Sequence, residues 1–495
     1  MPLNMKKFTS FLVIGILIPF IFEAFAPSGE SKPAGSTYIV IAWNDLGMHC
    51  ANKDFSNMCI LPPYNNQSAH VIKVGDQSTM PEVMLPGTSG IHVEYSIPGN
   101  TYSGSSTNTD KTNFWVYSQH IFGVTLPANI GLTGIGLTGT MADSGNVYHS
   151  QGIPLTPYQD NDLVNEDAYQ LTLIQAYDAS NQLLTSTQSV LPVSNEISCI
   201  SSGCHSSEMG ILNAHESVPG FNIANKPILC ANCHADNALG MQGTSGTPPF
   251  SQAIHQAHGG ETNDCYKCHP GPNTQCFRDT MKTLGLTCQH CHGTVSNVGN
   301  TIANGRKPWL EEPQCGSATC HGSTYAEEPG RLFRQSRGHG GLFCSTCHGS
   351  PHAIYTSQKD RDNLQIITLQ GHSGILKECE VCHGYIPAAP GPHGFNPLGV
   401  KPVSSLVPDR NELLPNYPNP CSYMTNIPYH IKDRGKVLME ICTQNGTRLT
   451  TLVNEVLQPG EYKAEFYSSR YPAGMYVCSL TVNGSRYLSK IIISR

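Results

Sequence analysis

Charge is scarce in this chain. Only 13% of its 495 residues are Asp, Glu, Lys or Arg, and the formal net charge is −7 at pH 7. A chain with so few cations, outnumbered by carboxylates, is not built to neutralise a phosphate backbone, which excludes nucleic acid as a partner class. Long apolar runs are equally scarce. The single one, from Phe11 to Phe22, is shorter than the ~20 residues that cross a bilayer, so no transmembrane segment is expected in the mature chain. Lys6 and Lys7 precede this run, and Ala24, Phe25 and Ala26 form a small-x-small cleavage site. Residues 1–26 therefore read as a secretory signal and 27–35 as a short linker. No cysteine follows the cleavage site, which argues against a lipid anchor. Regular periodicity is the third shortage: 47 glycines and 35 prolines make a loop-rich composition. The length exceeds what one core usually serves, so several domains are expected.

Cysteine and histidine are abundant, at 20 and 21 residues, and they are ordered. Five times the chain reads C-x-x-C-H: Cys230, Cys233, His234; Cys265, Cys268, His269; Cys288, Cys291, His292; Cys344, Cys347, His348; and Cys379, Cys382, His383. Two wider copies have four residues between the cysteines: Cys199, Cys204, His205 and Cys315, Cys320, His321. Chance supplies far fewer than one such motif in a chain of this composition. The order suits covalent haem attachment, in which two thiols add to the vinyl groups and the next histidine ligates iron. Tetrahedral zinc also uses C-x-x-C pairs but does not require a histidine after each second cysteine. For the two wider motifs a disulfide is the competing reading.

Residues 196–395 resemble the multihaem c-type cytochromes, in which four-residue loops also occur. The resemblance implies seven covalently bound haem c groups, with His205, His234, His269, His292, His321, His348 and His383 as proximal ligands. With about 30 residues per motif, no conventional core can form, so short helices and loops are expected around closely packed macrocycles. Eight further histidines, His215, His255, His258, His290, His339, His352, His372 and His393, are candidate distal ligands for seven irons. His290 sits inside its own motif, where it could reach only a neighbouring haem. Met209, Met241 and Met281 are alternative ligands or packing residues.

Residues 36–195 carry no such motif and read as an all-β sandwich. Strands are expected at Tyr38–Trp43, Ile91–Ile97, Asn113–Tyr117, Gly131–Thr140 and Tyr169–Tyr177, with turns at Pro86-Gly87, Pro98-Gly99 and Asp143-Ser144-Gly145-Asn146. In Asp45-Leu46-Gly47-Met48-His49-Cys50, His49 could serve as a ligand, or Cys50 could close a loop with Cys59; the disulfide is favoured in an exported chain. His70, His92, His120 and His149 read as ordinary histidines. Six cysteines stand outside the motifs, and Cys50 with Cys59 and Cys442 with Cys478 are the preferred pairs, leaving Cys276 and Cys421 unassigned.

A proline-rich linker is expected over 396–414, followed by a small domain over 415–495 with strands at Thr425–His430, Lys436–Cys442, Glu461–Tyr467, Gly474–Val482 and Tyr487–Ile493. Asn416-Tyr417-Pro418-Asn419-Pro420, Thr450-Thr451-Leu452-Val453, Pro459-Gly460-Glu461-Tyr462, Ala473-Gly474-Met475-Tyr476 and Lys490-Ile491-Ile492-Ile493 occur in order. This resembles the C-terminal sorting domain of the type IX secretion system, which implies an Ig-like β-sandwich, recognition by that machinery, and a secreted or cell-surface protein exported through the periplasm. Together the readings predict an electron carrier at or beyond the outer surface. Its partners would be other redox proteins, extracellular acceptors or copies of itself. The alternative is an oxidoreductase with one open haem acting on a small nitrogen or sulfur compound; the C-x-x-C-K motif of one such class is absent.

Overall fold

The computed structural model describes residues 37–195, 197–271, 273–387, 391–394 and 410–494. The expected signal, its linker and residues 396–409 of the proline-rich linker lie outside the described residues.

Strand β1 (Tyr38–Trp43) is buried along nearly its whole length, which requires cover on both faces. Val40 and Ala42 join one core while Ile39 and Ile41 join another, as the two-residue period of a strand dictates. The chain continues through β2 (His49–Cys50), β3 (Met58–Cys59), β4 (Asn66–Lys73), β5 (Glu82–Met84), β6 (His92–Ser96), β7 (Gly139–Thr140), β8 (Ala142–Asp143), β9 (Tyr148–Gln151), β10 (Tyr169–Tyr177) and β11 (Leu183–Ser194). One sheet has the order β1-β4-β9-β8 with β5 on β4, and the other β2-β11-β10-β6-β7. Ala69 and Val71 of the first sheet pack against Val93, Ile174, Ala176 and Leu191 of the second, making the expected sandwich.

Two of the expected strands are corrected. Residues 113–117 enter helix α1 (Phe114–Phe122), whose Phe114, Trp115, Ser118 and Ile121 are buried on one face. The helical spacing of those residues outweighs the strand preference of an aromatic run, and the Gly123 N–H closes the helix on the Gln119 carbonyl at 3.0 Å. Of Gly131–Thr140 only Gly139–Thr140 is a strand. Gly131, Gly134 and Gly136 favour turns there, and Gly134 has φ +84°. The domain is thus β-rich with one helix, not all-β.

The motif region holds short helices: α2 (Glu208–Asn213), α3 (Phe250–His258), α4 (Thr280–Thr283), α5 (Cys288–His292), α6 (Val295–Ala303), α7 (Cys344–His348), α8 (Asp360–Gln370) and α9 (Glu380–His383). It does not fold apart from the sandwich. Strand β12 (Ile228–Leu229) pairs in parallel with β3. Leu229 and Ala231 share a core with Phe55 and Phe114, and Leu342 and Val381 cover the outer face of β1 and β4. Arg278, buried at the seam, makes a two-bond ion pair with Asp362 at 2.6 and 2.9 Å and donates to the Gly47 carbonyl at 2.6 Å. Gln365 of α8 bonds both backbone groups of Ala42.

The last unit is a second sandwich. Its strands are β13 (Glu412–Leu413), β14 (Met424–Ile431), β15 (Gly435–Thr443), β16 (Arg448–Leu457), β17 (Gly460–Tyr467), β18 (Gly474–Val482) and β19 (Ser485–Ile493). The sheets are β13-β14-β17 and β16-β15-β18-β19. The disulfide expected between Cys442 and Cys478 is not formed: both are thiols. They are one residue out of step, with Cys442 opposite Val477 and Cys478 opposite Ile441, and successive strand residues point to opposite faces.

Candidate functional site

Each motif is closed by its own backbone. In the narrow motifs the histidine N–H bonds the carbonyl of the first cysteine, as from His234 to Cys230 at 3.0 Å, His269 to Cys265 at 2.9 Å and His383 to Cys379 at 2.9 Å. One helical turn thereby puts both sulfurs and the imidazole on adjoining positions. The wide motifs make the same closure over a longer loop, from His205 to Cys199 at 3.0 Å and from His321 to Cys315 at 3.2 Å. Both spacings thus present the same three groups.

The histidines meet in pairs. His205 faces His258 with ring centres 6.0 Å apart, His234 faces His215 at 6.4 Å, and His269 faces His255 at 5.8 Å. His292 faces His352 at 6.1 Å, His348 faces His393 at 6.2 Å, and His383 faces His339 at 5.9 Å. Every pair joins one motif histidine to one other, and no residue is used twice. Two imidazoles bound to one metal by nitrogen, at about 2 Å per bond and about 1 Å from nitrogen to ring centre, stand about 6 Å apart. Aromatic packing alone covers 4.5–7 Å, so the distance permits shared coordination and the one-to-one selection favours it.

Ring orientation agrees. His215, His234, His255 and His258 donate from Nδ1 to the carbonyls of Ile211, Pro248, Ser251 and Ile254 at 3.0, 2.8, 2.6 and 2.8 Å. That leaves Nε2 as the basic nitrogen, the usual device for orienting an imidazole ligand. Burial depresses His269, His348 and His352 to about 4, which keeps them neutral. His269 as a residue is nevertheless solvent-exposed. Helix α3 presents His255 and His258, three residues apart, to two different motifs, and α6 holds it close: Ser296 Oγ donates to the Gly259 carbonyl at 2.7 Å.

His290 and His372 are not brought to a motif histidine. His290 Nδ1 accepts the Thr287 N–H at 2.9 Å, which leaves the proton on Nε2. His372 is bonded at both nitrogens, to Ser373 O at 2.9 Å and Glu378 Oε1 at 3.0 Å. His49 lies 3.2 Å from Asp45 Oδ1. The disulfide expected between Cys50 and Cys59 is not formed: the two lie on short strands that pair with different partners, opposite Ser194 and Leu229. Met241 packs against the core around Phe114. What sequence reasoning missed is Gly47: a Cβ there would lie 2.4 Å from His352 Cβ, so the Asp45–His49 segment abuts His352 through its glycine.

Neighbouring motifs influence one another electrostatically. For four thiols the next cause raising the pKa after burial is a thiol of another motif: Cys199 for Cys230, Cys268 for Cys199, Cys320 for Cys291 and Cys382 for Cys347. Cys230 and Cys347 are pushed up to about 12. Cys265 and Cys288 share a hydrogen bond that raises the first and lowers the second. His321 lies near His348 and, after burial and His393, lowers its pKa. These influences link the motifs in the order second, first, third, fourth, fifth, sixth, seventh. At Cys233 a cavity of about 240 Å³ opens between apolar walls that include Ile121, Phe221, Ile228 and Leu229. Among the described residues no cluster of three or more His, Cys, Asp or Glu side chains is arranged to hold a metal ion, and no helix is long and apolar enough to cross a membrane. The chain's motifs could instead hold a planar cofactor by two sulfurs and one or two imidazoles.

Comparison with known proteins reaches the last unit only. Residues 416–494 match the secretion system C-terminal sorting domain family. No curated protein matches the chain. Among solved structures, the crystal structure of dimeric latent PorU from Porphyromonas gingivalis is similar at 9% identity and a TM-score of 0.15, over 92% of this chain and 34% of that one. This likeness carries no argument about fold, and the chain spans about a third of that protein's length.

Proposed function

We infer that the chain is exported by the type IX machinery to the cell surface or beyond, because residues 416–494 match the secretion system C-terminal sorting domain family. We propose that it is a seven-haem c-type cytochrome carrying electrons at or beyond the outer cell surface. One observation carries the reading: six motif histidines each face a single non-motif histidine at 5.8–6.4 Å. Haem, when bound, supplies a one-electron iron couple. The chain's part would be to offer paired thiols for covalent attachment, to hold facing imidazoles at six motifs, and to keep successive motifs near one another. Two imidazoles on one iron leave no labile position, which suits transfer rather than turnover. Other redox proteins, extracellular acceptors or further copies of the chain are the partners this chemistry serves.

Mass spectrometry of the purified protein tests the reading, with seven haem masses bound through fourteen thioethers expected. Five haems would return the wide motifs to disulfides. Zinc without haem would overturn the proposal.

A further inference from the structure

We propose that the iron held by His321 keeps an exchangeable sixth position and binds a small neutral molecule, making the fifth motif a ligand site within the relay. The inference rests on reading the seven motifs as haem sites. It follows from a complete account of the chain's 21 histidines. The segments outside the described residues contain no histidine, so every imidazole the chain can supply is in view.

Seven histidines belong to motifs and six are paired with them. Eight remain, and each has other business. His49 is tied to Asp45 and His290 accepts from the Thr287 backbone. His372 is held at both nitrogens. His70 packs against the tilted rings of Trp43 and Phe343 and accepts the Phe343 N–H at 3.3 Å. His92 stacks on Tyr177, and His120 donates to Asn225 O at 2.8 Å. His149 bonds Ser68 Oγ at 2.8 Å, and His430 lies between Glu412 and Glu461 in the sorting domain. His321 therefore differs from the other six motif histidines in having no imidazole across from it, and it is exposed.

The surroundings set the ligand class. Glu327 accepts from the Cys315 and Gly316 amides, the latter at 3.0 Å, which pins the start of the motif and places a carboxylate against it. A nearby negative charge disfavours an anion by direct repulsion, reduced but not abolished by the solvent that reaches the exposed His321. Neutral donors such as carbon monoxide, nitric oxide or hydroxylamine are favoured over nitrite. Cys320 helps raise the Cys291 thiol and His321 helps lower His348, so the site lies within electrostatic reach of the motifs on either side.

The test uses the full chain. Mass is measured first: absence of haem refutes the haem reading itself, whereas five haems leaves that reading standing for the narrow motifs and overturns this proposal by removing the fifth. With seven present, electron paramagnetic resonance of the oxidised protein is expected to show one high-spin and six low-spin haems. The reduced protein should take up one carbon monoxide per chain, and nitrite should leave the high-spin signal of the oxidised protein unchanged at concentrations where imidazole abolishes it. A Cys315→Ser/Cys320→Ser variant should lose the high-spin signal and the carbon monoxide uptake together, while His290→Ala changes neither. Seven low-spin haems overturn the proposal, whether the seventh ligand is His290, a methionine or a second copy of the chain. So does carbon monoxide uptake that survives loss of the fifth motif.

Discussion

His352 stands opposite His292 because of a residue far from both in sequence. Gly47 leaves just enough room for the His352 side chain, since any Cβ would come within 2.4 Å of it, closer than real contacts allow. Gly47→Ala is expected to push His352 off its partner and convert the motif-four haem partly to high spin, visible by electron paramagnetic resonance, with the other signals unchanged. A second residue-scale prediction concerns acid. Burial between aromatic rings, with Arg337 nearby, depresses His70 to about 3, against an ordinary value near 6.5. The neutral form is the one that fits, so His70 contributes stability above pH 6.5 that is lost as pH falls from 6.5 toward 3. His70→Gln should flatten the fall of the thermal midpoint between pH 6.5 and 4; an unchanged slope would assign the loss to other groups. The motifs themselves were legible in the sequence, because their spacing is local. Six of the eight histidines expected to face a motif do so, but neither that selection nor the pairing was legible. Both depend on contacts such as Gly47 with His352, and on which nitrogen is already bonded, as at His290 and His372.

At the scale of elements, alternating burial made the strands readable: Tyr169–Tyr177 and Gly474–Val482 fall where expected. Aromatic residues near Phe114 misled, because a run of five cannot tell a strand from the first turn of a helix, and the deciding Ser118 and Ile121 lie beyond it. Arg448–Leu457 was missed; its outer-strand polarity, with Asn454 and Glu455 inside it, hides the period. Helix α3 offers the sharpest test at this scale. Its one face carries His255 to His269 and His258 to His205, so the two substitutions should act on different haems. His255→Ala and His258→Ala are each expected to add one high-spin haem, and the double variant two, with the haem count unchanged. If one substitution added both signals, α3 would be a scaffold whose loss disturbs the region, not a bearer of two separate ligands.

The whole molecule couples a motif region welded to its sandwich with a tail that is only leaned against it. Cores around Phe114 and Ile41 draw residues from both sides of position 196, which composition could not reveal because the boundary is marked by motifs and not by packing. The tail's core, by contrast, uses no buried residue before Cys421. Its contacts with the motif region are polar and aromatic, with no shared apolar core among the described residues: Arg470 donates to the Gly371 carbonyl at 2.7 Å, Tyr423 and Thr356 share a hydroxyl–hydroxyl hydrogen bond, and Tyr467 stacks near His372 at 6.5 Å with Lys377 over its ring at 5.0 Å. Removing residues 410–495 should therefore leave the remaining cores and all six histidine pairs intact, since none of the paired residues lies in the tail. The expected outcome is a protein of unchanged haem content and spin state that is recovered from the periplasm instead of the surface fraction. Cell fractionation with haem staining measures both properties at once. Surface delivery without the tail would detach export from the sorting domain, while loss of haem would show that the tail supports the fold as well as addressing it.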